Sequence, residues 1–288
     1  MTSASFDIQK YMTLTDCPYC HNTSATEISK DPKTVRCNIC GIYRQYPRIN
    51  KDGQILLIKK FNDKIDVAHH VNLLESSGTT AEIQQLIKIF PDLKPSSRIL
   101  DVGSAEGSFI AALQRNGFTA TGLEPLERLV QLGRKHGLDI YVGRFEHDGI
   151  PPALAGRVFD LVCFRESIYY MADLRETFTL LRKMLRRGGG LYIKTHVATS
   201  IFYLKNKNYL ARYGPTVSGM PTLKALRGIL KREGHVIQKA GYFRFNVLHT
   251  LGWPYAQSFP GKLAGTALSP IVRTLGKADR LFIFANRL

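Results

Sequence analysis

Long apolar runs are missing from this chain of 288 residues. No window approaches the ~18 consecutive apolar residues of a membrane-spanning helix. The N-terminal stretch MTSASFDIQKYMTLTDC also lacks the apolar core that follows a basic start in a secretory signal. Together with a hydrophobic content of 44%, these absences predict a globular protein of the cytoplasm, with one large domain and a small one.

Acidic residues are scarce in the C-terminal part of the chain. Residues 174–288 contain twenty Lys or Arg and three Asp or Glu, so this part alone accounts for the formal net charge of +17. Such an uneven distribution favours an anionic partner, whether nucleic acid, an anionic membrane surface or a phosphorylated substrate. A charged surface that only keeps the protein in solution is the simpler alternative.

Cysteine is rare outside the first 40 residues, which hold four of the five. CPYC and CNIC form the pattern C-x2-C-x16-C-x2-C, in which two tight turns each direct two thiolates at one ion. Disulfides or a redox pair are the alternatives, but disulfides are uncommon in the cytoplasm and a redox C-x-x-C is expected within a βαβ unit. We therefore predict a structural zinc ion whose four positions are all filled by sulfur. The predicted ligands are Cys17, Cys20, Cys37 and Cys40.

The stretch after the second cysteine pair predicts a β-hairpin. GIYRQYPRI and QILLI flank the turn sequence NKDG, which extends a zinc-ribbon β lobe over residues 1–58. Residues 59–95 predict a helical linker or lid, because IDVAHHVNLLESSG and TTAEIQQLIKIF have helical spacing before the breaker-rich PDLKPSS.

Strand and helix patterns alternate from residue 96 onward. Apolar strand segments such as RILDVG and FDLVCF alternate with helical segments that end at a glycine. This order predicts an α/β fold with a doubly wound parallel sheet, whose ligands lie at the carboxyl ends of the strands. HVIQKAGYF and DRLFIFANR predict two last strands, so residues 96–288 form one domain.

The stretch RILDVGSAEGSF predicts a strand, a tight turn of small residues and a helix, an arrangement in which backbone N–H groups approach a ligand closely. The spacing is not G-x-G-x-x-G, and Asp101 would repel a pyrophosphate. Glu124 is expected to be exposed at the end of the next strand, where an acid accepts hydrogen bonds from both hydroxyls of a ribose. A ligand with a ribose, a cationic group and a carboxylate, such as S-adenosylmethionine, meets these constraints.

Residues 96–196 resemble the class I S-adenosylmethionine-dependent methyltransferases in ILDVGSAEGSF, GLEP, FDLV and LRRGGGLYIKT. The resemblance implies a seven-stranded Rossmann-like sheet beside the zinc-ribbon lobe, with S-adenosylmethionine as cofactor. The chain departs from the family pattern at Ala105, which replaces a glycine, and at Arg144, where an acid often contacts the adenine amine. The implied cofactor-binding residues are Asp101, Gly103, Ser104, Ala105, Gly107, Glu124, Pro125, Arg144 and Phe145.

A general base is needed only when the methyl acceptor carries a proton that must leave, as a hydroxyl does. Relatives often have Glu-His after the fourth strand, whereas this chain has Tyr169 and Tyr170. The candidate catalytic residues are therefore Glu166 and Tyr170 after the fourth strand, and His196 after the fifth. The alternatives are a loop histidine without a catalytic role, and tyrosines that wall the pocket or pack in the core.

The acceptor stays open among three interpretations. A small molecule or glycan, phosphorylated or carried on a lipid, agrees with methyltransferases that have a similar four-cysteine lobe. Ribosomal or transfer RNA agrees with the basic half, although no Asn/Asp-Pro-Pro-Tyr motif is present. A non-catalytic zinc-ribbon adaptor would not need the intact glycine-turn and GLEP motifs. We expect an enzyme that methylates oxygen or nitrogen of a small-molecule or glycan acceptor, with an anionic group on that acceptor.

The basic stretch of about 197–278 predicts a substrate lid. Tyr203, Tyr209 and Tyr213 in FYLKNKNYLARYG can stack on a ring, with neighbouring Lys and Arg near a phosphate. Residues 241–278 add the single tryptophan, Trp253, and four Lys or Arg without an acid. This segment is interpreted either as a packed lid or as a surface that rests peripherally on anionic lipid at the inner face of the membrane.

Overall fold

The computed structural model describes residues 7–30, 33–75, 80–200, 215–243, 247–250 and 257–288. The Tyr-rich stretch of 201–214 and Trp253 lie outside these residues. The described strands are β1 Met12–Leu14, β2 Ala25–Lys30, β3 Lys33–Cys37, β4 Tyr43–Gln45, β5 Arg48–Ile49, β6 Arg98–Val102, β7 Thr119–Glu124, β8 Asp139–Val142, β9 Phe159–Arg165, β10 Leu185–His196, β11 His235–Tyr242 and β12 Arg280–Arg287.

The described α-helices follow the alternation that the sequence predicts between residues 98 and 196, and continue beyond it. No described helix is both long and apolar enough to cross a membrane. The helices are α1 Lys51–Asp63, α2 Val67–Glu75, α3 Thr80–Ile89, α4 Ser108–Arg115, α5 Glu127–Lys135, α6 Phe145–Asp148, α7 Leu174–Met184, α8 Leu223–Arg232, α9 Val247–Thr250, α10 Phe259–Ala267 and α11 Ser269–Thr274.

A seven-stranded mixed sheet forms the centre of the molecule, in the order β11-β12-β10-β9-β6-β7-β8. The strands from β6 to β10 are parallel, whereas β12 is antiparallel to both β10 and β11. The parallel arrangement that the sequence predicts holds for β6 to β10, and β12 is the strand of this sheet that runs in the opposite direction. Tyr242 at the end of β11 pairs with Leu281 at the start of β12, so the two strands meet at the same end of the sheet, as neighbours in an antiparallel pair do. The α/β fold with a Rossmann-like sheet is confirmed.

Apolar side chains cover both faces of the main sheet. Successive residues of a strand point to opposite faces, and Leu100 and Ile193 belong to one buried cluster while Ile99 and Tyr192 belong to another. The second cluster includes Ile83 of α3, which is fully buried. The segment expected as a helical linker is therefore partly a component of the core.

The N-terminal lobe consists of the antiparallel sheet β2-β3-β4 and the pair β1-β5. Its buried residues share the first cluster with α7 and α8, because Ile42 and the cysteines lie in the same cluster as Phe178 and Leu226. Hydrogen bonds reinforce the contact: the Tyr19 hydroxyl donates to Glu233 at 2.9 Å. The lobe and the main domain therefore have a continuous apolar core.

The predicted hairpin at NKDG was wrong, because these residues begin helix α1. The side chain of Asn50 accepts a hydrogen bond from the Gly53 amide at 2.9 Å, which caps the helix. The buried residues that follow, Gln54 and Leu57, have helical rather than alternating spacing. The expected boundary of the lobe at residue 58 consequently falls inside α1.

Candidate active site and cysteine cluster

A cleft of about 700 Å³ lies at the carboxyl ends of β6, β7 and β9, against residues 58–70 of the N-terminal helical segment. Its volume lies in the range of small-molecule and cofactor sites. The predicted cofactor-binding residues that line it are Gly103, Ala105, Glu124, Pro125, Arg144 and Phe145.

The glycine turn requires small residues for its backbone shape. Gly103 has a φ of 80°, and a Cβ there would lie 2.5 Å from the Cβ of Ser167. Ala105 is also left-handed, with a φ of 50°, so the departure from glycine at this position carries some strain. The turn thus lets the backbone reach the cleft without side chains in between.

The other predicted cofactor-binding residues, Asp101, Ser104 and Gly107, are not part of the cleft lining. Asp101 is buried, and its Oδ1 has no hydrogen-bond partner among the described residues. Burial raises the pKa of Asp101 to about 7, although nearby Arg165 acts in the opposite direction. Gly107 precedes α4 with a φ of 92°, and a Cβ there would lie 2.7 Å or less from side-chain atoms of Leu138 and Ile140.

Glu124 is held at the cleft wall by backbone amides. Its Oε2 accepts from the Ala105 amide and its Oε1 from the Leu126 amide, both at 3.0 Å. The side chain is buried, so the expectation of an exposed acid was wrong, because the adjoining turns fold over it. Burial raises the pKa of Glu124 to about 7, while these amides and Arg144 favour the ionised form.

Glu166, one of the predicted catalytic residues, lines the cleft. Its φ of 58° is unusual for a residue other than glycine. The carboxylate lies 3.0 Å from Nε of Arg280 and 3.3 Å from Nε2 of His196. His196 does not line the cleft and lies in a buried position between Glu166 and Asp279, where it contacts the cleft residue Glu166.

The two tyrosines after β9 occupy different positions. Tyr169 is buried against Tyr170, with ring centroids 4.4 Å apart, and Tyr170 lines the cleft. Arg144 donates a hydrogen bond from Nη2 to the Tyr170 carbonyl at 2.6 Å. Burial raises the pKa of the Tyr170 hydroxyl, which disfavours a role as a proton acceptor.

His70 is a cleft residue that sequence reasoning missed. It lies on α2, and its Nδ1 is 2.7 Å from Oε2 of Glu106, a buried acid of the glycine turn. Thirty-six residues separate the two, and neither has a local pattern that marks it as a partner of the other. The fold therefore creates an imidazole–carboxylate pair that only the assembled structure shows.

Arg165 is a second missed cleft residue, and it comes from the end of β9. Its guanidinium donates two hydrogen bonds to Glu82, each at 3.0 Å, and lies 3.9 Å from the centroid of the Phe109 ring. Tyr192 donates to the same acid at 2.7 Å. Burial alone would raise the pKa of Glu82, but Arg165 and its neighbours lower it to about 2.

The four N-terminal cysteines form a compact cluster. Their sulfur atoms all lie within 4.8 Å of one another, with Cys17 and Cys40 at 3.3 Å and Cys20 and Cys37 at 3.4 Å. Four sulfurs around a tetrahedral zinc ion, each about 2.3 Å from the metal, are about 3.8 Å apart. The cluster is therefore compatible with a zinc ribbon.

Comparison with known proteins decides the family. The family model of a methyltransferase domain matches residues 77–240, more than half of the chain. The chain belongs to this methyltransferase family. The methyltransferase is 28% identical over 102 residues to the ubiquinone biosynthesis O-methyltransferase of Rhizobium johnstonii. That match covers 34% of the chain and 40% of the relative, well under two thirds of its length.

Solved structures agree with the methyltransferase in fold. A chain of the complex between the Haloferax volcanii Trm112 methyltransferase activator and a methyltransferase has a TM-score of 0.54 at 16% identity, over 74% of this chain and 90% of that one. An Archaeoglobus fulgidus S-adenosylmethionine-dependent methyltransferase has a TM-score of 0.53 at 16% identity, over 72% and 92%. The sequence predictions of the fold and of the methyltransferase family are confirmed.

Proposed function

We propose that this methyltransferase methylates an oxygen atom of a small-molecule or glycan acceptor in the cleft. The observation that carries the proposal is the His70–Glu106 pair at the cleft wall, because methylation of a hydroxyl releases a proton that a base can accept. The curated relatives named O-methyltransferases support the same reaction type.

The cofactor-binding part of the cleft suits S-adenosylmethionine, which supplies an already activated methyl group on a sulfonium sulfur. The protein then has mainly to bind and align the two reactants. Glu124 keeps acceptor capacity for ribose hydroxyls beyond its two amide partners. The unpartnered Oδ1 of Asp101 beneath the glycine turn suits a ligand that carries a positive charge. Gly103 and Ala105 also line this side of the cleft.

The acceptor side of the cleft has two candidate bases, and the contacts favour His70. Glu166 already faces Arg280 and His196, so its negative charge is compensated. His70 can donate from Nδ1 to Glu106, which leaves the lone pair of Nε2 to accept a proton. Glu166 and Tyr170 then shape the acceptor pocket, and His196 orients Glu166 from behind.

We also propose that the cysteine cluster holds one structural zinc ion. The sulfur separations and the sulfur-only donor set support zinc, and a site with four thiolates has no open position for catalysis. The ligands are those predicted from the sequence: Cys17, Cys20, Cys37 and Cys40. Zinc would fix the turns that pack on α7 and α8.

The deciding experiment uses methyl-labelled S-adenosylmethionine, the full chain and separate pools of small molecules, lipid-linked glycans and RNA from the source cells. We expect label in the small-molecule or glycan pool. The His70→Ala variant should slow this transfer by about 10²–10⁴. The His69→Ala variant, which changes the exposed neighbour on the same helix, should retain it. Transfer by His70→Ala at the wild-type rate would contradict the proposed base.

RNA is the second candidate acceptor, favoured by the excess of Lys and Arg over residues 174–288. Label on ribosomal or transfer RNA at near-stoichiometric yield would establish it in place of the small-molecule acceptor.

A further inference from the structure

Helices α10 and α11 have an apolar face that points outward. The large exposed residues are Leu263, Leu268, Ile271 and Leu275, which are 66%, 41%, 60% and 68% exposed. Small residues such as Ala264 lie between them and are also exposed. Surface helices of globular proteins ordinarily direct their apolar stripe at the core, so this pair of helices is inverted.

The exposed residues form a single stripe because their spacing is helical. Positions 263, 264, 267, 268, 271 and 275 recur every three or four residues. Leu268, which joins the two helices, has the helical angles φ −75° and ψ −18°, so the stripe continues from α10 into α11. The opposite side holds Ser269 and Val272, which are buried. The apolar stripe is therefore a continuous face and not a set of scattered side chains.

Positive charge accompanies this face. Lys262 is exposed, Arg273 and Lys277 are partly exposed, and no acid occurs between residues 257 and 278. A two-fold contact between two copies would bring the same cations together without acids to neutralise them. An anionic lipid surface accepts aliphatic side chains into its headgroup boundary and attracts the cations as well.

Helices α10 and α11 are inserted at the same end of the sheet as the cleft. The helices are inserted between β11 and β12, where Tyr242 pairs with Leu281, and Arg280 pairs with His196 at the carboxyl end of β10. Arg280 then contacts Glu166 of the cleft at 3.0 Å. A surface that binds α10 and α11 would therefore lie close to the end of the sheet where the cleft is.

We propose that α10 and α11 dock the enzyme on the surface of an anionic bilayer. The helices lie in the plane of the interface, with their aliphatic face among the lipid headgroups and acyl chains. Lys262, Arg273 and Lys277 contact the lipid phosphates. This docking does not depend on the proposed acceptor, but it would bring the cleft within reach of a lipid-linked one.

Vesicle flotation tests the docking with the full chain. The probes are phosphatidylcholine vesicles with about 30% phosphatidylglycerol, and phosphatidylcholine vesicles alone. We expect binding to the anionic vesicles only, weakened by salt. The combined substitutions Leu263→Ser, Ile271→Ser and Leu275→Ser should reduce the affinity more than tenfold, and each of Lys262→Gln and Lys277→Gln about fivefold.

A matched control removes exposed apolar residues elsewhere, with Val158→Ser, Val236→Ser and Leu288→Ser, which are 44%, 44% and 70% exposed in the wild type. This control should bind the vesicles as the wild type does. The proposal is overturned if the wild type does not float with anionic vesicles, or if the triple serine variant still does. It is also overturned if sedimentation shows a wild-type dimer that only the α10–α11 variant converts to a monomer, because the face would then be a self-association surface.

Discussion

Three carboxyls near the cleft differ in their compensation. Asp101 and Glu124 are buried and have pKa values raised to about 7, whereas Glu82, whose side chain is 13% exposed, has a pKa of about 2. The difference is the two-pronged contact of Glu82 with Arg165. For Asp101, a positively charged ligand would supply the compensation that Arg165 supplies for Glu82.

Glu124→Ala should weaken S-adenosylmethionine binding by about 1.5–3 kcal/mol, because hydrogen bonds to a charged acceptor are lost. In the wild type, affinity should also fall as the pH decreases from 8 to 5, since Glu124 gains a proton around pH 7 and loses acceptor capacity. Calorimetric titration measures both effects. Glu127→Ala, at the exposed start of α5, is the matched control and should bind normally. Equal affinity of Glu124→Ala and wild type would move the ribose site elsewhere.

Asp101→Asn should raise the thermal stability of the protein at pH 8 and leave it almost unchanged at pH 4. The carboxyl has a pKa of about 7 when folded against a reference value of 3.8, so wild-type stability falls as the pH rises between these values. Each unit of difference corresponds to ~1.4 kcal/mol. Thermal unfolding at the two pH values measures the effect, and an equal change at both would assign it to packing instead of charge.

His70→Ala should lower kcat by about 10²–10⁴ with little change in cofactor affinity. The pH–rate profile should lose the limb that reflects protonation of the base, whereas a merely structural role would leave that limb in place. His69→Ala provides the comparison, and unfolding curves for both variants show whether α2 remains folded.

Among the elements, the N-terminal lobe is joined most closely to the rest of the molecule. Its cysteine turns share a buried cluster with Phe178 and Leu226, and the Pro18 carbonyl accepts from the amide of Leu174 at 2.7 Å. A lobe with a core of its own would unfold while the main domain is spared. The shared core indicates that loss of the lobe also exposes α7 and α8.

Cys37→Ser should remove the zinc ion and lower the midpoint of a single unfolding transition, because lobe and domain share their core. Metal analysis of the purified protein, with calorimetry, measures both. Cys163→Ala is the control, since this buried cysteine of β9 lies outside the cluster and its loss should leave the zinc content at one per chain. Wild-type protein without zinc would contradict the metal assignment.

Strands β6 to β12 could be predicted because local apolar runs and glycine stops mark them. The helix at NKDG could not, because its cap at Asn50 and a hairpin turn use the same residue types. The direction of β12 depends on its pairing with β10 and β11, which no local sequence pattern encodes. The same holds for His70 and Glu106, whose contact exists only after α2 has packed near the glycine turn.

The molecule as a whole is polarised in charge. Residues 61–173, which contribute most of the cleft, have a slight acidic excess, while residues 174–288 carry the basic excess. Because of this separation, the Lys and Arg side chains that attract anions at long range belong mainly to a part of the chain other than the one that contributes most of the cleft. It also makes non-specific association with nucleic acid an expected side effect.

RNA binding by the full chain should therefore be weak and sensitive to salt. A complex with about six phosphate contacts loses roughly 10³ or more in affinity between 50 and 200 mM salt, whereas a single phosphorylated group loses far less. Fluorescence anisotropy with labelled RNA measures the RNA affinity. Methyl transfer to the identified acceptor, measured at the same salt concentrations, shows whether catalysis depends on salt in the same way as RNA binding. Parallel loss of RNA affinity and methyl transfer would point to RNA as the substrate.

The insertion of β12 between β10 and β11 has a consequence for biosynthesis. A ribosome completes β10 and β11 well before β12, yet β11 pairs with β12 alone in the main sheet and β10 keeps one open side. During that interval the nascent chain displays unpaired strand edges, which invite pairing with other chains. Translation that stops before Arg280 would leave both edges open permanently. Such truncated products should accumulate as aggregates. Synthesis at lower temperature should increase the soluble yield mainly of full-length chains, whose β12 is still to be synthesised, and not of the truncated products.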